Sequence, residues 1–322
     1  MEKFSQFRDR GSGISPFMPT SSPTSILTHL TSTILFLIRL PIFLAYTLLY
    51  FLFLHHLPLP AVAHKLLLWI YLSIPGIWWV DLQLDGVKRG SLSQQPPSRV
   101  PHPGSLIAAN FTSPIDALYL AAVFDPIFVV SYPHSRKVQR ISLITAIINA
   151  LSPAPLSPPP NSSLTDLRAI IEKYPTRVIA IFPESGTTNG KGILPLSPAL
   201  LTVPVDAKIF PVSMRYTPPD ITTPVPGAWI QFLWKLLGGP THCIRVRIAE
   251  GMVNTTKAVN GISSHEESIA RGGNGEDGVT VEEQKLLDSV AEALARLGRV
   301  KRVGLTLKDK EAFVKAWDKR RR

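Results

Sequence analysis

The stretch Ile179–Ala199 reads Ile-Ala-Ile-Phe-Pro-Glu-Ser-Gly-Thr-Thr-Asn-Gly-Lys-Gly-Ile-Leu-Pro-Leu-Ser-Pro-Ala. An apolar, β-branched run, Val178–Phe182, predicts a buried strand that Pro183 stops. A polar, glycine-punctuated loop follows, with one carboxylate, Glu184, at the strand's end. In open α/β sheets ligands sit beyond the carboxyl ends of strands, which makes Glu184 a site candidate. A surface turn rich in Gly, Thr and Asn is the plainer alternative for the same residues.

Working outward, a second stretch has the same form. Asn110–Asp116 reads Asn-Phe-Thr-Ser-Pro-Ile-Asp directly after the apolar run Leu106–Ala109. A third, Phe210–Tyr216, reads Phe-Pro-Val-Ser-Met-Arg-Tyr. Strands interleaved with helices extend on both sides. Strands are expected at Trp79–Val87, Phe128–Ser131, Lys208–Met214 and Cys243–Ala249, and helices at Ile115–Phe124, Ile141–Leu151, near Thr165–Lys173, and at Val281–Leu297. That alternation predicts an α/β sheet. Ser152–Pro160 is proline-dense and predicts an irregular loop.

The three blocks together resemble those of the phospholipid/glycerol acyltransferase family, which includes the lysophosphatidate acyltransferases, and among them its fungal oleoyl-CoA-using type. That family's first block is Asn-His-x-x-x-x-Asp and its third is Phe-Pro-Glu-Gly-Thr, followed in one branch by Asn-Gly. Phe182, Pro183, Glu184, Asn189 and Gly190 hold the third block in register, with Ser185 and Gly186 in place of Gly-Thr. The resemblance spans roughly residues 75–255. It implies an α/β fold with a glycerolphosphate-acyltransferase-like mixed sheet and helices, preceded by a membrane-embedded helical hairpin. It also implies transfer of an acyl group from acyl-CoA, a co-substrate rather than a bound cofactor, to a lysophospholipid such as lysophosphatidic acid.

Carried over by position, Asp116 is the acid that orients the base and Glu184 the third-block acid. The acceptor's polar head falls to Ser185, Gly186, Thr187, Asn189, Gly190 and Lys191. The family's Arg after Gly-Thr is missing, because Thr187 stands there, and Lys191 or Arg215 is the substitute phosphate contact. The main departure is at the family's catalytic His, where this chain has Phe111. A phenyl ring takes no proton, so three accounts stand open. Asp116 acts alone or through water, although an unperturbed carboxylate of pKa about 4 is a weak base. Another imidazole enters, with His134 before His102 by position. Or the chain is a degenerate relative that binds lipid, as a scaffold at a membrane or lipid droplet, without turning it over.

Composition narrows the surroundings. Apolar residues make up 45% of the 322, and 34 Lys/Arg against 23 Asp/Glu give a formal charge of +11. Ten Lys/Arg and three Asp/Glu lie between Arg299 and Arg322, so most of the excess is local to the tail. Next to a membrane such a tail points to anionic lipid rather than nucleic acid; a solvated helix face is the other reading. One cysteine, Cys243, excludes an internal disulfide and a Cys-based zinc site, and no metal site is expected. It fits a domain facing the reducing cytosol; the resemblance implies that this domain sits on the endoplasmic reticulum or a lipid droplet. Three glycosylation sequons occur, at Asn110, Asn161 and Asn254. A Gly-x-Ser-x-Gly elbow and a phosphate-loop spacing are both absent, so an α/β hydrolase or a nucleotide-binding enzyme is not indicated.

The expected organisation is a disordered leader at 1–24, a membrane-embedded helical region at 25–78, the α/β domain at 79–256, a flexible linker at 257–280 and C-terminal helices with the basic tail at 281–322. Within the membrane region the apolar runs Ile26–Leu54 and Leu66–Val80 are separated by His55, His56, Pro58 and Pro60. Arg39 would have to snorkel or pair, since a charge at mid-bilayer is costly.

Overall fold

The computed structural model describes residues 2–20, 25–88, 90–91, 94–160, 162–254 and 279–321. The expected linker lies almost wholly outside the described residues, as does Asn161.

Among the described residues nine strands form one mixed sheet in the order β1-β9-β8-β2-β6-β3-β4-β5, with β10 paired to β8. They are β1 (Ile77–Leu84), β2 (Leu106–Ala109), β3 (Ile127–Val130), β4 (Val138–Ile141), β5 (Leu164–Thr165), β6 (Ile179–Ile181), β8 (Lys208–Thr217), β9 (His242–Ile248) and β10 (Met252–Val253). A second sheet pairs β7 (Gly192–Ile193) with β11 (Lys301–Arg302). At the centre, β8, β2, β6 and β3 run parallel, and β2 and β6 are fully buried. Parallel strands covered on both faces read as continuous apolar runs, which is why Leu106–Ala109 and Ile179–Ile181 show no alternation. On one face lie α1 (Ile26–Leu52), α2 (Ala61–Ser73), α3 (Pro114–Phe124), α4 (Leu143–Leu151) and α6 (Trp229–Gly238); on the other, α5 (Leu167–Lys173) and α7 (Val281–Gly298). A last helix, α8, covers Leu307–Arg321.

Two expectations change at the N-terminal side. Residues 2–20, read as a disordered leader, are folded. A 3₁₀ turn over Glu2–Phe7 and the following loop bury Phe4, Phe7 and Phe17 against Phe313 of α8, with ring centroids 5.3 to 6.1 Å apart. Three aromatic rings per short segment are enough to tie down a chain that is otherwise polar.

The apolar region is also not a pair of matched spans. Helix α1 runs through Pro41 for 27 residues, about 40 Å at 1.5 Å per residue. It is the one helix among the described residues long and apolar enough to cross a membrane, and only 11% of its most apolar window is buried in the protein. Helix α2 has 13 residues, about 20 Å, short of a hydrocarbon core of about 30 Å. The second apolar run does not stay helical. It turns at Gly76 and becomes β1 at Ile77. Gly76 has φ +86°, and a Cβ there would meet the Pro240 carbonyl at 2.9 Å, so only glycine makes this corner.

Arg39 neither snorkels nor meets a carboxylate. Its guanidinium donates to the carbonyls of Pro75, Leu237, Gly239 and Pro240. These carbonyls lie just before β1 and β9 and at the C-terminal end of α6, where a cation is favoured. Helix α1 is thereby fastened along the α/β domain, while Leu27, Leu30, Ile34, Leu37 and Leu48 of its outer side stay exposed.

Candidate functional site

The pairing of β2 with β6 is in register, Leu106 with Ile179 and Ala108 with Ile181, so the two strand ends emerge side by side. The first and third blocks therefore meet. The Phe111 amide donates to one oxygen of Glu184 at 3.3 Å, and the Leu194 amide to the other at 3.0 Å. Glu184 thus ties the loop after β2 to the far end of its own loop. Burial pushes its carboxyl up to about 8, opposed by the two amides. At neutral pH it is mostly protonated, an acid or hydrogen-bond donor rather than a base.

Asp116 sits at the third position of α3 and closes a capping box with Ser113, the helix's N-cap. One of its oxygens accepts from the Thr112 amide at 2.7 Å, the Thr112 hydroxyl at 3.1 Å and the Ser113 amide at 2.8 Å. The other accepts a short bond from the Tyr216 hydroxyl. Burial raises its carboxyl to about 6, with these bonds pulling the other way. Both oxygens are engaged in fixing the loop. The Phe111 ring is 4% exposed and stacks on Phe182, with centroids 4.3 Å apart and planes 17° from parallel. The space an imidazole would need beside Asp116 and Glu184 belongs to an aromatic pair.

The loop after Glu184 opens on a strained residue. Ser185 has φ +55°, a left-handed conformation that a side chain adopts only at a cost. Its hydroxyl lies 2.8 Å from that of Ser131, which donates to the Phe182 carbonyl. Gly186 follows where the last helix presses in; a Cβ would meet Leu307 at 2.6 Å. Thr187 is buried and donates to the Thr223 carbonyl at 2.6 Å.

Three of the expected substrate contacts stand elsewhere or are already taken. The Asn189 side-chain amide donates to the carbonyls of Ser15 and Met18, both at 2.8 Å, and its backbone amide to Pro16. It holds the leader, leaving no free donor for an acceptor headgroup. Lys191 is exposed on the outer side of that turn. Arg215 projects from the opposite face of β8 to Met214 and Tyr216 and donates to the Gly298 carbonyl at 2.7 Å. His102 is also out of reach, its ring against Phe210 and its Nδ1 3.1 Å from the Val100 carbonyl.

What the structure does bring together is a cleft of about 910 Å³ lined by Glu184, Ser185, His134, Leu196, Leu287 and Leu307 among others. An apolar cavity of about 230 Å³ lies between α1, α2, α3, α4 and α6, with Pro114 and Ile115 of the first block in its wall. Among the described residues no cluster of His, Cys, Asp and Glu could hold a metal ion.

Two participants escaped the sequence. Tyr216 closes the third quoted block, and only the alternation of β8 shows that it shares a face with Met214, whose backbone brackets Asn110 at 2.7 and 3.0 Å. Lys310 comes from α8 and is 2% exposed; its ammonium donates to the Thr187 carbonyl and hydroxyl. Burial lowers its pKa to about 7, with Glu184 opposing the shift. Nothing local in the last helix marks this lysine among its neighbours. Asn110 and Asn254 are both buried and hydrogen-bonded, so neither carries a glycan in this fold.

A mixed sheet whose central strand ends bring these blocks together around Glu184 and Asp116, beside a long apolar helix, is the mixed α/β architecture expected from the sequence. No protein-family model matches the chain. It is 28% identical over 331 residues, covering 99% of both chains, to a Schizosaccharomyces pombe protein named "Putative lysophosphatidic acid:oleoyl-CoA acyltransferase". It is 26% identical over 208 residues, 61% of each chain, to "Lysophosphatidic acid:oleoyl-CoA acyltransferase 1" of Saccharomyces cerevisiae. The resemblance read from the blocks holds: the chain is a homologue of proteins that carry these names.

Proposed function

We propose that the chain is a membrane-associated O-acyltransferase that moves an acyl group from acyl-CoA to a lysophospholipid, with lysophosphatidic acid as the acceptor. The observation that carries this reading is the end-to-end similarity to the fission-yeast protein, in a chain whose matching blocks are hydrogen-bonded to one another through Glu184 and Asp116. A cytosol-facing position on the endoplasmic reticulum or a lipid droplet goes with it.

Acyl transfer to an alcohol requires removal of the hydroxyl proton, stabilisation of a tetrahedral oxyanion and alignment of the two substrates. The apolar cavity beside α3 suits an acyl chain. Glu184, protonated at neutral pH, is suited to donate toward the oxyanion. Both Asp116 oxygens already accept bonds, from Thr112 and Ser113 on one side and Tyr216 on the other, so its role is to fix the loop. The base is then His134, the imidazole on the cleft that also holds Glu184 and Ser185.

The test is release of CoA from oleoyl-CoA by the full-length protein with a panel of lysophospholipids. Release that requires lysophosphatidic acid supports the reading. Tight lipid binding with no release under any acceptor would favour the second reading, a lipid-binding scaffold, for which the Phe111–Phe182 stack is the specific observation.

A further inference from the structure

Arg215 fails as a phosphate contact at the cleft, and its actual surroundings form a different site. Strands β1 and β9 start together at the carbonyls held by Arg39, so both begin beside α1. On the face away from α1, Trp79, Cys243 and Thr217 form the first row across β1, β9 and β8. Asp81, Arg245 and Arg215 form the next row, and Gln83, Arg247 and Ser213 the one after. Successive rows on one face are about 7 Å apart.

The first row is aromatic and exposed: Trp79 is 66% accessible, and the neighbouring Trp78 61%. Tryptophan at that exposure, on an edge strand of the sheet, suits a membrane interface. The following rows are cationic. Arg215 and Arg247 donate to the Gly298 and Leu297 carbonyls at the end of α7, and Arg299 follows at once. The side chains of Arg245 and Arg299 are exposed and make no hydrogen bond or ion pair among the described residues. Asp81 stands opposite Arg245 without forming an ion pair with it. Burial, and after it the charges of Arg247, Arg245 and Arg299, lower the pKa of Arg215. Like charges gathered this closely repel unless an anion lies against them.

We propose that Arg215, Arg245, Arg247 and Arg299 form a docking face for the anionic phospholipid headgroups of a bilayer surface that meets the sheet edge at Trp78 and Trp79. The occupant follows from charge complementarity and from continuity, since the arginine rows begin one step below an exposed tryptophan and two steps from the anchor of α1. This face is separate from the cleft at Glu184, and three of its four arginines lie on the sheet, with Arg299 alone coming from the start of the basic C-terminal stretch. It does not depend on catalysis.

The experiment is flotation of the full-length protein with vesicles of phosphatidylcholine alone or with 30 mol% phosphatidylserine, roughly the charge of an anionic leaflet. Arg245→Glu/Arg299→Glu is compared with Lys173→Glu/Lys285→Glu, an equal charge change at exposed sites far from the patch. A basic residue at an anionic surface is worth about fivefold in partitioning, so neutralising two should weaken binding to the charged vesicles by roughly 25-fold at low salt, and reversing their charge should weaken it further. Binding to neutral vesicles should not change, the control pair should bind like wild type, and 0.5 M salt should remove the difference, since screening is then nearly complete on the order of 5 Å. Arg245→Gln/Arg299→Gln, which adds no acidic group, should show a smaller loss with an unchanged melting temperature. Equal losses in patch and control variants, or wild-type binding by the patch variant, would overturn the proposal. So would displacement from charged vesicles by millimolar inorganic phosphate at constant ionic strength, which would make the patch a site for a free anion.

Discussion

The Lys310 ammonium lies 2.7 Å from the carbonyl oxygen of Thr187 and 3.0 Å from its hydroxyl, which fastens the last helix to the loop that leaves Glu184. A buried cation and a buried carboxyl thus share one neighbourhood, each shifted toward its neutral form by lack of water.

That pair sets a pH dependence of stability. Glu184 binds its proton more tightly folded than unfolded, so its contribution is present below its ordinary pKa and is lost as pH rises through about 8. Asp116 acts in the same sense up to about 6. Lys310 has the opposite sign: the unfolded chain holds its proton longer, so stability rises from about pH 7 toward the ordinary lysine value. The expected curve falls between pH 5 and 7 and recovers above 8. Denaturant unfolding across pH checks this. Glu184→Gln should flatten the fall between pH 6 and 7 and start the recovery near 7, and Lys310→Met should remove the recovery. A Lys310→Met curve that still rises above pH 8 would show that another group is responsible.

Phe111→His is expected to act in two directions. It replaces a stacked ring by a polar one, at a cost of about 1–3 kcal/mol for a partly unsatisfied buried group. It also restores an imidazole beside the Glu184 loop, and general-base catalysis is worth about 10²–10⁴-fold. Since both Asp116 oxygens already accept from Thr112, Ser113 and Tyr216, the new ring would lack its orienting partner, so with His134 as the base little gain is expected, and a gain of about 10²-fold or more would move the base to position 111. Acyl-transfer rate and melting temperature are measured together. A folded variant with no gain places the base elsewhere.

His134→Ala is the complementary measurement. If the cleft imidazole is the base, kcat should fall by at least about 10²-fold with little change in melting temperature, because the residue is a cleft-lining side chain and not part of the core. Wild-type activity in His134→Ala would remove it from the mechanism.

Deleting residues 2–20 should destabilise the domain. The deletion uncovers Phe313 and takes the Ser15, Pro16 and Met18 carbonyls from Asn189. A lower melting temperature and faster proteolysis of the C-terminal helix are expected. Asn189→Ala should reproduce part of the effect, about 1–3 kcal/mol, because it leaves the Ser15 and Met18 carbonyls without donors while the backbone bond to Pro16 remains.

These effects mark where sequence and structure part. Strands β2 and β6 were legible because short β-branched runs end at Asn110 and Pro183, and their shared register then brought the two blocks together. The leader was not, since Phe4, Phe7 and Phe17 follow no period and their partner, Phe313, is nearly the whole chain away. The second apolar run misled for another reason. Hydropathy does not change at Gly76, where helix gives way to strand, and only the backbone corner shows the boundary. Asn189 and Arg215 had the right chemistry for a headgroup, but their partners are distant carbonyls that no local pattern reveals.

Arg39 offers the sharpest test of how α1 is held. A charge in an apolar helix has two physical outlets, the headgroup region or polar partners within the protein. The structure gives it the second, four backbone carbonyls next to Gly76 and Gly239. Arg39→Leu should therefore leave acceptors unpaired in an apolar setting, at a cost of about 1–3 kcal/mol, and loosen α1 from α6. Arg39→Lys should recover only part of this, because one ammonium has three donors on a flexible stem and cannot span the set as a planar fork does. Thermal unfolding in detergent and limited proteolysis between α1 and the domain read both effects. If Arg39 served only to reach headgroups, Arg39→Leu would leave the melting temperature unchanged in detergent. An unchanged value would mean that α1 is anchored by its apolar contacts alone.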